Sequence, residues 1–579
     1  MRTTPRLNFG AAVALAALCC LASAAAARAQ NAVAPPPATF AQTLALARAK
    51  TNAKEWKEAA ALWERVTEMN PVEARFWSQL GLARYSAQDY ARAIQAYEKA
   101  LELRAGYPAD NAYNIACCYA LMGDKEQAQR WLERAFAMGF RNLRLAQTDD
   151  DLKSLRDDAR YRQLVGLADT SKMSREEGWH FDLQLLAREV RRKGYVDGVP
   201  RRLPRADFDA LVARLDSDIP KLSDTQITIE LMKLMAKVGD GHTGLLGSAE
   251  RPEMQQTLPL QFYLFDEGLY VVSADPKYKE LLGAQVLRFD EAPVERVVAA
   301  LDPLISRDND IWIKQRAPYM MRHLPLLRGL GLVSDDKQVR LTLRDAAGRE
   351  RAVTVAADAT QPNIWNTLPN PATWVNYPQT LNAPVPLYLK NMGAPYWFEY
   401  LPDSKTVYFQ FNSVRNDQQE PLAQFSERLF KFVAEHDVDK LVVDMRWNNG
   451  GNTMLEPPLV QGLMKSDKVN RRGHLFVVVG RRTFSAAQNG ATFIERNTNA
   501  IFVGEPTGSS PNFVGEETIF TLPYSRLLAN VSDLYWQSSW PFDYRTWLAP
   551  QVYAPPTFAA FRENRDPAME AILAYREEQ

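Results

Sequence analysis

Between about residues 40 and 165 the apolar positions keep a helical rhythm, and the rhythm itself repeats. Ala59, Trp63 and Val66 recur as Ala93, Tyr97 and Ala100, and again as Ala128, Leu132 and Ala135, at offsets of 34 and 35 residues. A repeat of that length built from paired amphipathic stretches predicts stacked helical hairpins. Three further amphipathic stretches, FDLQLLAREVRRKG, DFDALVARLDSDIPKL and TQITIELMKLMAKV, predict a second helical block that closes on VGDGHTGLLG. From Leu258 to Val355 the period shortens. LPLQFYLFDEGLYVV, GAQVLRFDEAPV and QVRLTLRDAAGRERAVTV alternate apolar and polar positions between Gly and Asp turns, as short strands do, with a helical insertion from about Pro303 to Leu332. From about Ser404 continuous apolar strands (TVYFQF, KLVVDMR, HLFVVV, AIFVGE) alternate with amphipathic helices, which predicts an α/β sheet buried on both faces.

Composition narrows the setting. A chain of 579 residues holds several domains, and 69 basic against 69 acidic residues give no net attraction for a nucleic acid. Met1 to Ala29 combines Arg2 and Arg6, an apolar run from Ala11 to Ala27 and the small-x-small site Ala27-Arg28-Ala29, which reads as a secretory signal peptide; Asn31 to Thr39 is an Ala/Pro-rich lead-in. An exported protein, periplasmic or secreted, is expected. No later stretch is apolar for long enough to cross a bilayer. After cleavage only Cys117 and Cys118 remain, and neighbours on a helix rarely bridge, so no disulfide framework is expected. The cysteines and scattered histidines lack zinc-ligand spacing, no GxGxxG follows a strand and no GxxxxGK[ST] occurs, so neither a metal nor a nucleotide cofactor is implied.

Candidate chemistry centres on GHLFVVVGRRTFSAAQNGATF, where a buried strand turns into a helix at Ser485. First-turn amides lack intrahelical partners and the helix dipole favours an anion there. Such a serine is a good nucleophile or an ordinary N-cap, and this stretch alone leaves both readings open. Three more stretches bear on it. In LVVDMRWNNGGNT a strand ends in Asp444 and Arg446 and breaks at Gly450-Gly451, whose backbone can approach an oxyanion closely. Gly239-Asp240-Gly241-His242-Thr243 sets a histidine in a tight turn, and VGEPTGSSPN follows the strand after the Ser485 helix.

These motifs carry resemblances. The unit WSQLGLARYSAQDYARAIQAYEKALEL is similar to the tetratricopeptide repeat, a helix hairpin that would offer a surface for a protein partner or serve as a spacer. LLGAQVLRFDEAPVERVV resembles the carboxylate-loop region of a PDZ module. "DMRWNNGGN", "TFSAAQN", "VGEPTG" and the closing "PQVYAPPTFAAFRENRDPAMEAIL" resemble, in order, the C-terminal-processing (tail-specific) proteases and the tricorn protease core. The likeness spans roughly residues 174 to 573 and implies a crotonase-like α/β core that hydrolyses peptide bonds through a serine acyl-enzyme. The expected organisation is a signal peptide over 1–29, helical repeats over 40–170, a helical subdomain over 174–250, a PDZ-like β-rich block over 255–360 and the catalytic core over 380–575.

The resemblance also sorts the general base. The bacterial processing branch takes a lysine after the serine, but no lysine follows Lys468. The tricorn-like branch takes a histidine from the preceding helical subdomain, which maps to His242, and imidazole ordinarily titrates near pH 6.5, about where such a base is useful. An orienting acid would lie downstream, among Glu517, Asp533 and Asp543, with Asp543 the position that the resemblance favours. Tricorn's serine directly before the histidine is replaced by Gly241, leaving Asp240 or Thr243 to supply its contribution. The amides of Ala486 and of Gly450 or Gly451 are the expected oxyanion donors. His180, His323, His436 and His474 read as structural; His474 is the runner-up base because it shares a strand with the nucleophile segment, but it lies at the opposite end of that strand from Ser485, too far for a hydrogen bond. The expectation is a serine peptidase acting on a protein or peptide; the rivals are a non-catalytic peptide-binding scaffold and an acyl hydrolase for small substrates.

Overall fold

The computed structural model describes residues 39–104, 108–167, 169–195, 203–247, 256–358 and 373–576. The expected signal peptide and the lead-in as far as residue 38 lie outside them. The described chain divides into two compact units: one runs to Phe140 and takes in Asp149–Asp157, the other comprises Arg141–Thr148 and everything from Asp158 on. The expected repeat block ending at residue 170 is therefore cut differently. Asp149 stays with the first unit, where its carboxylate accepts the Tyr113 hydroxyl at 2.7 Å.

The first unit holds three helical hairpins: α1 (Phe40–Asn52) with α2 (Trp56–Met69), α3 (Ala74–Ser86) with α4 (Tyr90–Glu102), and α5 (Pro108–Leu121) with α6 (Lys125–Ala137). The repeating positions are the ones that pack: Ala59, Trp63, Val66, Ala93, Tyr97, Ala100, Ala128, Leu132 and Ala135 are all essentially inaccessible. Close approach has a specific cause in the middle hairpin. A Cβ on Gly81 would lie 2.6 Å from the Tyr97 ring, so only glycine lets α3 settle on α4 there. Cys117 and Cys118 are buried free thiols. Cys117, Asp149 and Asp151 bring ligand-type atoms within 4.8 Å of one another, but the carboxylates already accept the Tyr113 and Tyr85 hydroxyls and burial pushes the Cys117 thiol well up. This grouping is a hydrogen-bonded cluster.

The second unit opens with α7 (Arg175–Glu189), α8 (Arg205–Asp218) and α9 (Asp224–Lys237), of which α7 and α9 start with Ser capping boxes at Ser174 and Ser223. The β-rich block is a sheet in the order β2 (Leu260–Phe265), β3 (Gly268–Ala274), β4 (Gln285–Phe289), β6 (Gln338–Arg344), β7 (Glu350–Ala356), with β5 (Ala292–Pro293) beside β4 and β8 (Val375–Asn376) beside β3. The helices α10 (Val294–Leu301) and α11 (Ile311–Met320) are inserted between β5 and β6.

The α/β layer is a sheet in the order β16 (Val552–Tyr553), β13 (Ile501–Gly504), β12 (Leu475–Val479), β11 (Lys440–Asp444), β10 (Thr406–Phe411), β9 (Tyr396–Leu401). All pairings are parallel except β9 with β10. Alternate residues explain why these strands read as unbroken apolar runs. Phe409, Val443 and Val477 pack on one face among residues of α12 (Leu422–Glu435), α13 (Pro457–Lys465) and α14 (Ala486–Asn497). Tyr408, Val442, Phe476 and Val478 pack on the other with Met569 and Ile572 of α15 (Pro567–Ala574). A third sheet, β1 (Gly244–Gly247), β15 (Leu528–Gln537), β14 (Asn512–Thr521), joins the end of the helical subdomain to strands that follow the α/β motif. That pairing is what carries His242 to the core. Among the described residues no helix is long and apolar enough to cross a membrane.

Candidate active site

β12 is central in its sheet and fully buried, and the chain leaves it through a turn closed by Thr483 N donating to Gly480 O at 2.8 Å. Thr483 Oγ1 donates to Met445 O (2.9 Å) and Phe484 N to Asn448 O (3.2 Å), tying this turn to the loop that follows β11. Ser485 then adopts φ 56°, ψ −129°, a strained backbone for a residue with a side chain. Ser485 occupies the N-cap position of α14, but its hydroxyl makes no capping bond. The residue is half-buried, in a strand–turn–helix arrangement suited to a nucleophile.

The glycine loop lies against this serine. A Cβ on Gly450 (φ +102°) would fall 2.7 Å from Ser485 Cβ and 2.9 Å from Ala486 N, while one on Gly451 (φ +141°) would run into Val414 O at 2.1 Å. Gly450 N donates to Asn448 Oδ1 at 2.9 Å, so its amide is already engaged. Asp444 and Arg446, at the end of β11, serve the frame. Arg446 bonds Asp444 and makes a bidentate pair with Asp566 (2.9 and 3.0 Å), which fastens β11 to the N-terminus of α15.

His242 stands at the turn after α9. Asp240 Oδ1 accepts His242 N (3.0 Å) and Thr243 N (2.6 Å), Asp308 Oδ1 accepts Gly241 N (2.8 Å), and Asn530 Nδ2 donates to His242 O. Asp240 and Thr243 thus shape the turn, Thr243 Oγ1 also accepting Ser532 N at 3.1 Å. Gly241 is there for space: a Cβ would meet the Phe484 ring at 2.7 Å. The imidazole is buried and belongs to a ladder of rings. Trp312 stacks on Phe484 at 4.2 Å, Phe484 on His242 at 4.5 Å and His242 on Phe513 at 5.4 Å. His242 is therefore brought against the residue that directly precedes Ser485. Among the described residues, neither ring nitrogen of His242 has a hydrogen-bonding partner.

The expected Asp543–His242 contact is not made. Asp543 accepts Ser539 Oγ (2.6 Å) and Arg545 Nη2 (2.8 Å), and the Arg545 bonds hold its carboxyl at about 2. Glu517 is exposed, and Asp533 pairs with Arg141 at 2.7 Å. The remaining histidines sit elsewhere: His180 against Asp216 (2.8 Å), His436 stacked on Phe432, His474 against Asp439 O (2.8 Å), and His323 half-buried, its pKa pushed down to about 3 by desolvation of the ring. One buried acid escaped the sequence reading. Glu456 is 1% exposed, neither carboxylate oxygen has a partner among the described residues, and burial raises its pKa well above the usual range. It faces Gly490 of α14, where a Cβ would lie 2.3 Å from Oε1. Only the glycine inside TFSAAQNGATF hinted at it.

Residues 44–108 and 109–138 each match a family model described as tetratricopeptide repeat. No curated protein matches the chain. Among solved structures, a mutant of CPAF is 13% identical over 70% of this chain and 99% of its own, with a TM-score of 0.50. The photosystem II D1 C-terminal processing protease is 14% identical over 69% and 97%, with a TM-score of 0.34. The Yersinia enterocolitica type III secretion translocator chaperone SycD is 19% identical over 25% and 100%, at 0.17. At these identities the first likeness is one of fold. Helical tetratricopeptide repeats are followed by a β-rich and α/β region of that architecture.

Proposed function

We propose that the chain is an exported serine peptidase in which Ser485 attacks the scissile carbonyl and His242 takes, then returns, the proton. The observation that carries this reading is the strained Ser485 backbone at the start of α14, with Gly450 pressed against it and no capping bond to occupy its hydroxyl. Ala486 N, the first amide of that helix, and Gly451 N are the oxyanion donors; Gly450, its own amide held by Asn448, shapes the wall. The ring ladder fixes the plane of the imidazole, and substrate binding completes the bond from Ser485 Oγ to a ring nitrogen. No acid is assigned to orient His242. The repeats hold a protein partner or the substrate itself.

A non-catalytic peptide-binding scaffold is favoured by two observations: the His242 ring nitrogens lack hydrogen-bonding partners among the described residues, and the Gly450 amide is occupied. Release of acid-soluble peptides from labelled casein by the mature chain decides between them. Activity lost in both Ser485→Ala and His242→Ala supports the peptidase; activity undiminished in Ser485→Ala overturns it.

A further inference from the structure

A cavity of about 590 Å³ opens within the second unit where the β-rich block faces the strand ends of the α/β layer. Its lining includes Tyr263, Tyr319, Arg322, Trp374, Tyr388 and Trp447, but neither Ser485 nor His242. The volume suits a ligand of drug-like or short-peptide size, and the lining is mostly aromatic and apolar.

The charges in this lining are unbalanced in one place. Five cationic side chains border the cavity: Lys314, Arg322, Lys390, Arg446 and Arg481. Lys314 pairs with Asp266, Lys390 with Glu399, Arg446 with Asp444 and Asp566, and Arg481 with Glu505. Arg322 alone has no carboxylate partner among the described residues. Its Nε donates to Leu258 O (3.2 Å), and its guanidinium lies between the Tyr319 and Trp374 rings, 5.7 and 5.4 Å from their centroids. Burial lowers its pKa, as expected of a cation removed from water without a counter-ion. A guanidinium held by two rings keeps its fork free for a planar anion.

We propose that this cavity binds a monocarboxylate with an apolar body, whose carboxylate pairs with the Arg322 guanidinium while the body lies on Tyr388 and Trp447. The carboxylate belongs either to a free organic acid or to a peptide chain end. Such an occupant also touches Arg446-Trp447 and Gly480-Arg481, the lead-ins to Gly450 and Ser485. The inference does not depend on Ser485 being a nucleophile, because its test reads binding.

Titration of 4-phenylbutyrate, its primary amide, and a hexapeptide ending in Phe with a free or amidated terminus, followed by calorimetry, tests the site. The acid is expected to bind wild type at least tenfold more tightly than its amide. That binding should disappear in Arg322→Met and return in part in Arg322→Lys. Binding confined to the free-ended peptide supports the site and assigns the carboxylate to a chain end; binding of phenylbutyrate alone assigns it to a free acid. Equal binding of acid and amide by wild type, no saturable binding of any acid, or unchanged binding by a folded Arg322→Met overturns the proposal. The acid–amide comparison needs no variant, so a misfolded Arg322→Met leaves it decisive.

Discussion

Gly450 and Ser485 are in direct contact, so close that a Cβ on the glycine would stand 2.7 Å from the serine Cβ. Gly450→Ala therefore has to displace either Ser485 or the first turn of α14, and it also strains a φ of +102°. A displacement of about 1 Å at a reacting group lowers rates by roughly a hundredfold. The expected result is a fall of that order in kcat/KM, with a smaller change in KM than in kcat. Steady-state kinetics on a peptide substrate measure it, and near-normal kcat in the variant would show that the glycine does not govern Ser485.

Phe513 stacks on the imidazole of His242, as Phe484 does. Phe513→Leu keeps an apolar residue but removes one ring of the ladder, leaving the imidazole freer about χ2. A drop of about tenfold in kcat with unchanged KM is expected, since base positioning is lost without loss of substrate contacts. Equal kcat in wild type and variant would mean that stacking does not set the imidazole plane.

These two contacts mark the limit of sequence reading. The repeat positions Ala59, Trp63 and Tyr97, the alternation of β12 and the strand-to-helix site of Ser485 were legible because period and burial leave a local imprint. The ladder joining Trp312, Phe484, His242 and Phe513 was not, because it assembles four distant segments and each aromatic residue reads locally as core. Asp543 was placed from a resemblance over a loop. The structure shows that its neighbour Arg545, two residues on, captures it. Arg446 was legible only as the end of a strand, because its partner Asp566 lies 120 residues away and only the fold reveals the pair.

Glu456 gives a pH signature. Its pKa is raised in the folded protein by burial, so the unfolded chain ionises first and stability falls as pH rises from the ordinary glutamate range toward the folded value. Glu456→Gln cannot ionise and escapes this loss. The variant should melt at least about 2 °C above wild type at pH 8, with the gap closing toward pH 4. Thermal melts across that range check it; a gap independent of pH would show that ionisation of Glu456 is not the cause.

Gly81→Ala tests the first unit separately. The added methyl meets Tyr97 at 2.6 Å, so α3 and α4 must part. A destabilisation of about 1–3 kcal/mol is expected from overpacking, with hydrolysis of a short peptide unchanged. Hydrogen exchange should quicken in α3 and α4; unchanged protection there would show that the hairpin absorbs the methyl without moving.

The central claim is that Ser485 is an activated nucleophile. Reaction of the mature protein with a fluorophosphonate, followed by peptide mass mapping, tests it most directly. The account predicts one adduct on Ser485, absent from Ser485→Ala and strongly slowed in His242→Ala. A fluorophosphonate adduct on another residue, or equal labelling of wild type and Ser485→Ala, would contradict it.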